Sequence, residues 1–158
     1  MGKRKLGIRI SRALTVGVIL LALTFIFDDF LFFKWNAKKH LREQGIELND
    51  SFKILNNESG GIRDYYHKFE LQISDSDKKK LIEQIKSAEN FTDTVSTYFY
   101  LPENKNRYSG EAITVNYENL GEFKTEYYKP NGQGIAPTYR IISISKTENK
   151  LTFEDIID

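Results

Sequence analysis

From Ala13 to Phe27 the chain runs fifteen residues without a charged side chain, a stretch no other part of the 158 residues matches. At about 1.5 Å per residue it covers about 22 Å of a hydrocarbon layer roughly 30 Å thick, so on its own it is short for a membrane span. Extended back to Ile10, with the stem of Arg12 carrying its charge to the head groups, the segment reaches about 18 residues. Asp28 and Asp29 then fall at the far interface, followed by an aromatic belt of Phe30, Phe32, Phe33 and Trp35 that anchors the span. Extension forward through Phe33 instead draws Asp28 and Asp29 into the bilayer, where a carboxylate costs roughly 2.5–3.5 kcal/mol. The first placement is therefore expected, within a membrane segment bounded by residues 13–33.

The basic start and apolar run also suit a secretory signal, but cleavage requires small residues one and three positions before the cut. Asp28 to Trp35 offers none, so an uncleaved signal anchor is expected. Residues 1–27 carry five basic and no acidic side chains, whereas residues 28–44 carry four basic and three acidic ones. The positive-inside tendency keeps the basic segment 1–12 in the cytoplasm and places the remainder outside.

Beyond the span the composition changes. Residues 45–158 hold 14 basic and 19 acidic side chains, an excess of five negative charges that argues against nucleic acid as a partner. The chain has no cysteine, which excludes disulfides, thiolate metal sites and lipid-modified cysteine. A domain of this length buries enough apolar surface without cross-links. Lys, Asn and Ile supply 44 of the 158 residues, a bias associated with bacterial genomes of low GC content.

In chain order, residues 34–45 combine good helix formers with Gly45 as a terminator and are expected to form a helical stalk, with His40 exposed among its lysines. Its basic side chains are placed to meet lipid phosphates or solvent. Residues 46–158 read as an α+β domain. Ser51–Asn56 is a strand closed by a turn over Asn56–Gly61. Tyr65–Ser74 alternates cleanly, with Tyr65, His67, Phe69, Leu71 and Ile73 on one face, which makes His67 a core or edge histidine. Ser74 then starts a helix, with Asp77 at the capping-box position, Leu81, Ile82, Ile85 and Ala88 as its buried stripe, and Lys78, Lys79, Lys80 and Lys86 in solvent, ending near Asn90. Strands follow at Thr94–Leu101, Glu111–Glu118, around Phe123–Tyr127, Tyr139–Lys146 and Leu151–Phe153, with a loop at Lys129–Pro137. The expected architecture is an antiparallel sheet with one helix on one face.

No G-x-S-x-G, H-E-x-x-H or phosphate-binding glycine loop is present, and the two histidines lie 27 positions apart on different elements. Ser76 and Lys79 match an S-x-x-K spacing without its partner motifs. Neither enzyme activity nor a cofactor is therefore expected. Nine tyrosines, several in adjacent pairs, put one member of each pair outside a half-buried strand. Tyr66, Tyr98, Tyr100 and Tyr128, with Asn131 and Gly132 of the Lys129–Pro137 loop, form an expected protein-binding surface unless other parts of the domain cover that face.

In layout the chain resembles small single-pass accessory subunits of bacterial membrane complexes and membrane-anchored immunity proteins that bind toxins. The resemblance implies a membrane lipid environment and another envelope protein as partner. Two alternatives stay open: an ion-coupled membrane subunit working through Asp28 or Asp29, similar in layout to single-span motor subunits, and a small envelope hydrolase with paired carboxylates.

Overall fold

The computed structural model describes Thr15, Gly17 and residues 32–61, 65–93 and 105–157. The chain divides into two units, Met1–Phe33 and Lys34–Asp158. In the first, Thr15 and Gly17 are helical. Apart from these two and Phe32 and Phe33, the expected membrane segment lies outside the described residues, as do Arg12, Asp28, Asp29 and Phe30. Among the described residues no helix is long and apolar enough to cross a membrane.

The second unit contains α1 (Lys34–Arg42), β1 (Lys53–Gly60), β2 (Tyr65–Gln72), α2 (Asp75–Lys86), β3 (Phe91–Thr92), β4 (Ile113–Glu118), β5 (Glu122–Lys129), β6 (Thr138–Ser145) and β7 (Lys150–Ile157). The strands form one sheet in the order β1-β2-β7-β6-β5-β4-β3. Every pairing is antiparallel except β3 with β4, which is parallel, so the sheet is mixed and not purely antiparallel. Two helices, not one, pack on it.

Both helices lie on the same face. The β2 alternation aims His67, Phe69 and Leu71 at it, and the register continues them into Asp155, Phe153 and Leu151 of β7, then Arg140, Ile142 and Ile144 of β6. Phe69 and Phe153 are fully buried and stack at 4.7 Å between ring centres. The α1 side chain His40 packs on both rings, at 6.1 and 5.4 Å. On the far half of the same face, Lys86 of α2 lies 5.3 Å from the ring of Phe123 on β5.

The residues expected as a free stalk are thus part of the domain. Ala37 and Leu41, one turn apart, are fully buried, and His40 is half-buried instead of exposed, because its ring completes the aromatic layer over β2 and β7. The helix stops in a Schellman arrangement: Ile46 N donates to Leu41 O at 3.0 Å and Gly45 N to Arg42 O at 2.9 Å. Gly45 takes φ 71°, which a residue with a side chain resists.

Asn56–Gly60, expected as a turn, extends β1 instead. The strand is an outer one with an irregularity between Ile54 and Asn56, and its exposed polar side chains suit a sheet edge. In α2, Ser74 caps as expected, its hydroxyl accepting from Asp77 N at 3.0 Å. The Asp77 carboxylate is buried and does not reach back in a capping box; it accepts from Asn49 N at 2.9 Å and Asp50 N at 3.0 Å, tying the α1–β1 connection to the start of α2. Lys78 is likewise not a solvated residue: its ammonium donates to Lys146 O and Glu148 O at 3.0 and 2.8 Å, bracing the β6–β7 turn. The helix ends at Lys86, before Asn90, whose amide instead bonds the carbonyl of Thr114 and accepts from Asn116 Nδ2 at 2.7 Å.

Candidate functional site

The opposite face of the sheet accounts for several of the tyrosines. Ile113, Val115 and Tyr117 of β4, Glu126 and Tyr128 of β5, and Tyr139 and Ile141 of β6 point to it. Tyr117, Tyr128 and Tyr139 are 4%, 2% and 3% exposed, so Tyr128 is a core residue and not a surface contact. Tyr128 faces Tyr139 directly across the strands and donates to the carbonyl of Asn106 at 3.3 Å. Glu126, 2% exposed, accepts from Tyr117 Oη at 2.5 Å and Tyr139 Oη at 2.6 Å. Burial above all, then the bond to the Glu126 carboxyl, pushes the Tyr117 phenol far above its usual range and fixes it as a donor. On the β2–β7 half of this face, Tyr66 is half-buried beside the cross-strand pair Lys68–Glu154, 3.7 Å apart. Tyr98 and Tyr100 lie outside the described residues, as does the expected strand Thr94–Leu101.

The helix face carries a row of polar side chains at one end. Cross-strand register places Ser59, His67, Asp155, Arg140, Tyr127 and Thr114 side by side over six strands. The guanidinium of Arg140 is the row's organiser: Nε bonds Asp155 Oδ2 at 3.1 Å and Nη1 reaches Glu43 Oε2, just beyond α1, at 3.2 Å. Such a planar fork suits two carboxylates at once. The two histidines, remote in sequence, meet here edge to face at 5.2 Å, and His67 Nε2 bonds Asn57 Oδ1 at 2.9 Å. Burial holds the pKa of His40 below its usual value against the pull of Glu43 and Asp155, which favours the neutral ring.

Where the helices leave this end uncovered, the sheet forms a groove of about 410 Å³ lined by Glu43, Gln44, Thr114, Thr125, Tyr127, Lys129, Asn131, Thr138 and Arg140. A second concavity of about 280 Å³ shares Gln44, Thr114 and Thr125 with it and continues to Leu81, Ile85 and Ala88 of α2. Polar and apolar lining thus adjoin. Glu43 is the one carboxylate in the polar groove, and it is already paired with Arg140. A third concavity, lined by Lys38, Leu41, Arg42 and residues 46–49, has Glu47 as its one carboxylate. The paired-carboxylate arrangement of a glycoside hydrolase is not formed by the lining of these three. Ser76 and Lys79 are exposed on α2. Among the described residues no group of three or more His, Cys, Asp or Glu side chains is placed to hold a metal ion.

The loop between β5 and β6 borders the groove. Asn131 turns inward, donating from Nδ2 to Ala136 O at 2.8 Å and Thr138 Oγ1 at 3.0 Å, so it holds the loop as well as lining the groove. Gly132 and Gly134 take φ 99° and 79°, and Ile135 N closes on Gly132 O at 3.3 Å. The loop is thereby shaped in advance, and it presents Ile135 with 59% of its surface exposed. Sequence patterning marked this loop but missed Arg140, Glu43 and Asp155, whose meeting depends on strand register and on the docking of α1.

The chain matches no protein-family model, no characterised protein and no solved structure.

Proposed function

We propose that the chain is a non-enzymatic single-pass membrane protein whose extracytoplasmic α+β domain binds another envelope protein, as an accessory subunit of a membrane complex or as an immunity-type binder. The apolar run Ala13–Phe27 supplies the anchor and its unopposed basic start the orientation. The observation that carries the binding reading is the groove of about 410 Å³ beside a preformed loop with an exposed isoleucine. An apolar anchor beside polar groups already held in place is the make-up of an interaction hot spot, because little ordering is left to be done on association.

A photo-crosslinking residue at position 135, in the full chain in intact cells, tests this. A discrete adduct is expected, and Lys129→Glu at the groove should diminish it. The control is position 120, where Leu120 is 92% exposed at the opposite end of β5. Absence of an adduct at 135, or equal adducts at both positions, contradicts the assignment.

A further inference from the structure

By burying Ala37 and Leu41, α1 leaves Lys34, Trp35, Lys38, Lys39 and Arg42 exposed. At 3.6 residues per turn these five fall within an arc of about 140° on the side away from the sheet. The arc holds four cations and no carboxylate of its own, although residues 45–158 carry a net negative charge; of the four, Arg42 is met by the exposed Glu47 at 3.8 Å. Two of the cations are supported from behind: Lys34 Nζ and Lys38 Nζ lie 5.5 and 6.0 Å from the ring centre of Phe52, itself buried. Trp35, the single tryptophan of the chain, is 64% exposed among them.

We propose that this outer face of α1 is a membrane-surface site, its cations meeting anionic phospholipid head groups and the Trp35 ring resting at head-group depth. The inference rests on reading Ala13–Phe27 as a membrane tether. Only six residues, Asp28 to Phe33, join that run to the start of α1, a covalent link of at most about 25 Å. A cationic arc held so close to a bilayer is attracted by an anionic surface, and an indole favours the interface because one edge is apolar and the other donates a hydrogen bond.

Full-length protein reconstituted in vesicles, of phosphatidylcholine alone or mixed with phosphatidylglycerol, separates the possibilities, with Trp35 as the intrinsic probe. In the anionic vesicles its emission should shift to the blue, become protected from acrylamide and be quenched by spin labels at the head group. About 1 M salt should reverse the effect, since the screening length then falls to about 3 Å. Lys39→Gln with Arg42→Gln, two side chains that do not touch Phe52, should reduce the surface-bound population by about fivefold for each charge removed. Trp35 behaviour that is the same in both lipids, whether protected or accessible, overturns the head-group site while vesicle flotation still reports the tether. A chain that does not float with vesicles overturns the tether, and the site with it.

Discussion

Glu126→Ala is expected to destabilise the domain by about 3–5 kcal/mol, a large part of the 5–15 kcal/mol that holds a typical domain folded. The glutamate is 2% exposed and is the shared acceptor for Tyr117 and Tyr139. Its removal takes the shared acceptor away from two buried hydroxyls, each at a cost of about 1–3 kcal/mol, and opens a void between β4 and β6. Chemical unfolding of the full chain in mild detergent, followed by far-ultraviolet circular dichroism, measures the loss. Adding Tyr117→Phe and Tyr139→Phe to the alanine variant should restore part of it, because the hydroxyls that lost the Glu126 acceptor go with the substitution. A single variant within about 0.5 kcal/mol of the parent would mean that the triad is not the closed buried unit described here.

Asp77→Ala is the second large effect, expected at about 2–4 kcal/mol. Its buried carboxylate accepts two backbone N–H groups, from Asn49 and Asp50; bonds to a charged acceptor are worth about 1.5–3 kcal/mol each, and part of that sum is regained because these two exposed residues can turn their N–H groups to water. Losing them unties the α1–β1 connection from α2. Ser74→Ala removes the helix cap together with an exposed hydroxyl bond to Asp50 Oδ2 at 2.6 Å, and should cost about 1 kcal/mol. The same unfolding experiment ranks the two, and a serine variant that costs more than the aspartate variant would show that Asp77 is an ordinary first-turn residue.

The sequence was most legible where one face of a strand is buried and the other wet. Tyr65–Ser74 is of that kind, and β2 follows its alternation. Legibility failed in β4 to β6, where both faces are covered: Phe123 packs toward α2 while Tyr128 packs away from it, so buried apolar residues fall on both faces of one strand. Tyr128 therefore read as an outward tyrosine. The helix at α1 is legible but its docking is not, because only Ala37 and Leu41, among four charged neighbours, mark its buried side. Asn56–Gly60 has turn composition, and pairing with β2 overrides it at the sheet edge. Arg140, Asp155 and Glu43 carry no local signature at all, since their association is set by β6–β7 register and by the end of α1. Even the histidines, separated by 27 positions, meet only because α1 docks on β2.

The proposal of a tethered, outward-facing domain is tested most directly by paired reporter fusions after Asp158 in the full-length chain, one active only outside the cytoplasm and the other only within it. The five unopposed basic residues before Ala13 favour a cytoplasmic start, against four basic residues at Lys34, Lys38, Lys39 and Arg42 that pull the other way. The external reporter is expected to be active in the membrane fraction and the internal one silent. The reverse pattern, or activity in the soluble fraction, would contradict the account and move the binding partner of the groove into the cytoplasm.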